Sequence, residues 1–99
     1  MKKNLHSSLN PVIHQPIRLQ IMTYLQLSHK SNFSELKKEL GITDGNLGSH
    51  LQKLEDNKLV KINKKFVDKK PTSSISITKN GETELIQYLE ILSSIIEKK

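Results

Sequence analysis

In the stretch TDGNLGSHLQKLED, Thr43 to Asp56, the residues Asn46, Ser49, His50 and Lys53 recur at intervals of three and four. On a helix those intervals gather them on one face. An asparagine amide can pair in two-pronged fashion with adenine, a lysine ammonium reaches O6 and N7 of guanine, and serine or histidine serves several acceptors. Leu47, Leu51 and Leu54 occupy the other face at intervals of four and three, and must meet a core. Thr43 is suited to cap the helix and Asp44 to complement its dipole. Gly45 falls on the outer side with Ser49, so the helix N-terminus and its free N–H groups can approach a phosphate or base edge closely. Gly48 lies about one turn on, towards the preceding helix, and predicts close helix packing.

Charge points to the same kind of partner. The net charge is +6, and residues 58–79 carry seven lysines (Lys58, Lys61, Lys64, Lys65, Lys69, Lys70, Lys79) against one acid, Asp68. Residues 1–57 and 80–99 nearly balance. So local an excess is either a solvated lysine face or the footprint of a polyanion site. The chain has fifteen lysines but only one arginine, Arg18. Arginine is the preferred guanine reader, and Arg18 sits among core positions of a helix, where pairing with an acid such as Glu55 is the expected role. Base reading then rests on few groups, and most affinity on lysine–phosphate contacts that position without specifying sequence.

The elements that must carry these groups follow from periodicity. Leu5, Leu9 and Val12 have helical spacing broken by Pro11, which leaves a loose arm or a short helix. Pro16 suits a first helical turn, and Ile17, Ile21, Tyr24, Leu25 and Ser28 continue a helix over about 15–28. SHKSN reads as a polar loop. Ser34 is the expected N-cap of a short helix that points Leu36 and Leu40 inward and ends at a left-handed Gly41. After Asp56, Val60, Ile62 and Phe66 alternate with lysine and asparagine as in a half-buried strand, VDKKPT turns, and SSISIT alternates again. Thr78 caps a last helix over 79–97. The fold class is mainly α (α+β): a helix-turn-helix over 34–57, a two-stranded wing over 59–78 and a long C-terminal helix, in one domain spanning 1–99.

HQPIRLQIMTYL, FSELKKELGITDGNLGSHLQKLE and KKPTSSISITKNGETEL resemble the small winged helix-turn-helix transcriptional regulators related to the MarR and ArsR types, over about residues 12–92. The resemblance implies a DNA-binding dimer, with Thr43, Gly45, Asn46, Ser49, His50 and Lys53 at the major groove and Ser34, Lys64, Lys65, Lys69 and Lys70 on the backbone. Three departures stand out: Gly48 replaces a usual serine, Lys58 a common glycine (leaving Asn57 as the expected left-handed residue), and the wing tip lacks an arginine.

The last helix is oversized for a thin core. Leu85, Tyr88, Leu89, Leu92, Ile95 and Ile96 form a stripe along ~19 residues, or ~28 Å, and part of it would be exposed in a lone chain. Leu5, Leu9, Leu85, Leu89, Leu92 and Ile96 are therefore the expected dimer contacts. His6, His14, His29 and His50 match no metal-ligand spacing, and there is no cysteine. No cofactor, metal or catalytic group is implied, and no run is long enough to span a membrane. The expected protein is a cytoplasmic, nucleoid-associated dimeric repressor on an inverted-repeat operator. An architectural DNA protein and a winged helix used for protein assembly are the alternatives.

Overall fold

The computed structural model describes residues 5–97. A single 3-10 turn, Leu5–Ser8, leads into α1 (Pro16–Ser28), β1 (Lys30–Asn32), α2 (Phe33–Leu40), α3 (Asp44–Asp56), β2 (Val60–Val67), β3 (Lys70–Ile77) and α4 (Lys79–Glu97). Pro16 opens α1 behind Gln15, whose side chain accepts from the Arg18 N–H. Gly41 ends α2 in the left-handed region at φ 64°, and the Thr43 hydroxyl caps α3 by accepting from Asn46 N at 3.2 Å.

Three helix-end and strand expectations need correction. Asn32 caps α2 in place of Ser34, its amide oxygen accepting from Glu35 N at 2.8 Å. Ser34 instead lies exposed in the first turn. Lys58, not Asn57, takes the left-handed conformation after α3, at φ 60°; the Asn57 side chain is free to donate to the Lys53 carbonyl at 2.9 Å. The segment read as a polar loop contains β1, which pairs antiparallel with β3 through Lys30–Ser76, Ser31–Ile75 and Asn32–Ser74. The sheet thus has three strands in the order β1-β3-β2. A three-residue strand of Lys, Ser and Asn carries no apolar alternation, although Ser31 is buried between exposed neighbours, and its pairing partner lies far along the chain.

The core joins every layer. Ile21, Met22 and Leu25 of α1, Leu36 of α2, Leu47, Leu51 and Leu54 of α3, Ile75 of β3 and Leu85 and Tyr88 of α4 are buried together with Ile13, Leu59 and Val60. The stripe predicted for α3 is therefore fixed inward. Gly48 is not a packing glycine, because a Cβ there meets nothing within 4 Å. That role falls to Gly81, which sequence reading passed over. Leu85 is likewise removed from the expected dimer contacts: it is 1% exposed, inside its own chain's core.

The N-terminal segment lies against α4. Asn10 Nδ2 donates to Glu84 Oε1 at 3.0 Å, and His14 Nδ1 and the Tyr88 hydroxyl are 2.8 Å apart. Among the described residues no helix is long and apolar enough to cross a membrane.

Candidate nucleic-acid interface

With Leu47, Leu51 and Leu54 locked in the core, the outer face of α3 is determined. Gly45, Asn46, Ser49 and Lys53 are exposed on it, and Thr43 is exposed at its start. Gln52 is also exposed and donates to Asp56 Oδ1 at 2.8 Å, a neighbour the sequence reading did not single out. Gly45 faces open space, with nothing within 4 Å of a Cβ. At the N-terminus Asp44 pairs with Lys37 of α2 at 2.8 Å. Both side chains are largely exposed, so the pair contributes under ~1 kcal/mol to stability. It does offset a carboxylate that would otherwise repel an approaching phosphate.

His50 stands apart from the exposed group. It is half-buried, and its Nδ1 is 3.1 Å from a guanidinium nitrogen of Arg18. The Arg18 Nε donates to the Val12 carbonyl at 2.6 Å. Arg18 is thus structural, as expected, but Glu55 is not its partner. The Glu55 carboxylate accepts from Ile62 N at 3.3 Å. A guanidinium has only donors, so Nδ1 accepts and the imidazole proton resides on Nε2. Arg18 thereby ties α1 and the segment before it to the middle of α3.

Burial first, and the Arg18 charge second, hold the His50 pKa below the ordinary 6.5. The unfolded chain therefore takes up its proton at higher pH than the fold does. Stability from this site is full above about pH 6.5 and falls as pH drops through the depressed folded value. His50→Gln is expected to flatten that loss. Urea unfolding of both proteins over a range of acidic pH checks it, and equal pH slopes would contradict the assignment.

The wing is a hairpin of two eight-residue strands. Asp68 and Lys69 form its two-residue turn with φ of 52° and 66°, as primed hairpin turns require. Lys61 and Lys65 share the face turned away from the core, while Lys64 follows Ile62 on the other face. Lys69 lies in the turn and Lys70 starts β3, both exposed. A hollow lined by Lys30, Asn32, Ser34, Lys65 and Thr72 joins the start of α2 to the wing. A second, bordered by Ser34, Lys37, Lys38 and Asp44, joins α2 to α3. Ser34 belongs to both, so the start of α3, the start of α2 and the wing border one continuous run of surface. Lys30 entered it with β1; no alternation in the sequence signals it.

Phe66, expected to be half-buried, is 76% exposed, because the hairpin has by then run past the body of the molecule.

The pattern of the winged helix DNA-binding domain family matches residues 17–96. An uncharacterized protein of Methanocaldococcus jannaschii is 33% identical over 82 residues, covering 82% of this chain and 89% of that one. The structure of a transcriptional regulator homologue from Pyrococcus horikoshii superposes with a TM-score of 0.82 at 38% identity, covering 87% of this chain and 85% of the other. A mutant MarR from E. coli, solved with operator DNA, shares the fold at a TM-score of 0.74 and 19% identity, over 95% of this chain and 66% of that one. The chain therefore belongs to the winged helix DNA-binding domain family, with the fold of the MarR-type transcriptional regulators.

Proposed function

We propose that the protein is a sequence-specific regulator of transcription that acts as a dimeric repressor by occupying operator DNA. The supporting observation is that Thr43, Gly45, Asn46, Ser49 and Lys53 are exposed on the outer side of α3, whose start at Asp44 is joined through Ser34 to the hollow that Lys30 and Lys65 line beside the wing. α3 enters the major groove, with His50 contributing its Nε2–H at the edge of the reading face. Lys64, Lys65, Lys69 and Lys70 hold the phosphate backbone. The MarR-type relative solved with operator DNA has the same fold, which favours this docking.

Two copies associate through α4, where Leu89 and Ile96 are 42% and 72% exposed in the single chain. Half-buried Leu92, Leu9 and Leu5 flank them. A two-fold axis then presents two reading helices to an inverted repeat. The partner sets the location: the cytoplasm, on the nucleoid. The lysine excess favours a weakly specific architectural protein as the second reading.

Selection of bound duplexes from a random pool, followed by salt titrations, separates the two. An inverted repeat should be enriched. Asn46→Ala and Lys53→Ala should relax base preference, each lost contact costing ~1–3 kcal/mol. Replacing Lys69 and Lys70 together by alanine should weaken operator and random duplex alike, and lower the log–log salt slope by ~1 to 2 per subunit. No enriched sequence would favour the architectural reading. An unchanged slope would take the wing off the DNA.

A further inference from the structure

We infer that Phe66 and Pro71 form an apolar wedge with which the wing opens a DNA minor groove, so that the wing selects deformable base steps. This rests on the reading of the chain as a duplex-DNA binder and adds a mode of recognition to it. Phe66 is one of only two phenylalanines in the chain, and it is 76% exposed. It stands directly across from Pro71 in the β2–β3 register, so ring and pyrrolidine project from the same face of the ribbon. Pro71 carries no N–H and a fixed φ, which makes it a rigid wall for the ring. Val67, at 52% exposure, adds apolar surface on the opposite face of the tip.

The surroundings identify the partner. Lys64, Lys65, Lys69 and Lys70 frame the pair and Asp68 is the sole acid nearby, a composition suited to a polyanion and unsuited to an apolar protein surface. Pro71 also lines the hollow that runs to Ser34 and α2, together with Lys65 and Val67 of the opposite face of β2. Two strand backbones lie ~4.8 Å apart, so the ribbon with its side chains is too broad to slot edge-on into a minor groove ~6 Å wide. A single ring standing off its face does fit. Apolar wedges of this type part adjacent base pairs and kink the duplex.

The alternative minor-groove device, a cation drawn into a narrow A-tract, has no arginine at the tip and only the strongly hydrated ammonium groups of Lys69 and Lys70 to use. The chain's one arginine, Arg18, is engaged by Val12 and His50. The wedge should therefore favour pyrimidine–purine steps such as TA or CA, which unstack readily, over stiff A-tracts.

The test is a duplex carrying the selected operator, labelled at both ends for energy transfer, with a TA step or an A-tract under the wing. The wild type should bend the TA duplex and bind it about tenfold more tightly than the A-tract version. Phe66→Ala should lose the bend and the step preference while keeping the salt slope. Phe66→Leu should keep part of both. The Lys69/Lys70 double alanine variant should do the reverse, losing slope and keeping the bend. Phe66 lies outside the core, so all four proteins should unfold at similar denaturant concentration. Equal bending by wild type and Phe66→Ala, or tight binding to an unbent duplex, would overturn the wedge and leave the regulator reading standing. No duplex binding by the wild type would overturn both. If Phe66→Ala changed only the sedimentation of the free protein, the tip would be a contact between copies and the wedge would fall.

Discussion

Gly81→Ala is expected to destabilise the protein by ~3 kcal/mol or more, the upper range for overpacking a core. Gly81 is buried in the first turn of α4. A Cβ there would fall 2.9 Å from Ile77 Cγ1 and inside the contact radius of the Leu59 carbonyl oxygen. That carbonyl cannot retreat, since it already accepts from Thr78 N at 3.1 Å. The Thr78 hydroxyl donates to the Lys58 carbonyl at 2.7 Å and accepts from Gly81 N at 2.8 Å. One threonine thus links the end of α3, the end of the sheet and the start of α4, and the absence of a side chain at 81 lets the three meet. Gly45→Ala and Gly48→Ala are the controls. Both positions are open and helical, so alanine should add up to ~1 kcal/mol of stability. Gly45→Ala should weaken DNA binding nonetheless if the helix N-terminus approaches the duplex closely. Chemical denaturation of the three variants decides the matter, and a Gly81→Ala protein as stable as wild type would show that α4 docks loosely.

Leu89→Glu and Ile96→Glu are expected to give a folded monomer that binds operator ~10²–10⁴-fold more weakly, the gain normally supplied when a second half-site is engaged from a tethered partner. Ile86, Leu89 and Ile96 are 50%, 42% and 72% exposed, a run of apolar surface along the outer side of α4 at helical spacing. A charge placed there is harmless to a lone chain and severe in a two-fold interface, where it meets its own copy. Leu85→Glu should behave differently: with Leu85 in its own core, the chain should unfold rather than dissociate. Sedimentation, circular dichroism and operator titration distinguish these outcomes. Wild-type protein sedimenting as a monomer at tens of micromolar would exclude the dimer.

Most of the elements were legible in the sequence because their signals are local. The intervals of Leu47, Leu51 and Leu54 orient α3 whatever it packs on, and Gly41 and Thr43 mark a helix end and a helix start by their own backbone and hydroxyl chemistry. The lysine excess of residues 58–79 is a property of composition. The family pattern over residues 17–96 agrees with that reading.

Tertiary structure decided the rest. β1 exists because β3 offers it an edge, which three residues cannot announce. Phe66 and Ile62 have the same alternation, yet only Ile62 reaches the body of the molecule, because the length of a hairpin beyond its core depends on where the core ends. The same limit separates Leu85 from Leu89 on one apolar stripe. His50 repeats at the interval of the reading face, but the partner that turns it inward, Arg18, comes from another helix. Gly81 and Gly48 are both helical glycines in the sequence, and only the carbonyl of Leu59 distinguishes the one that must stay glycine. Periodicity fixes which way a side chain points; what it meets depends on chain segments distant in sequence.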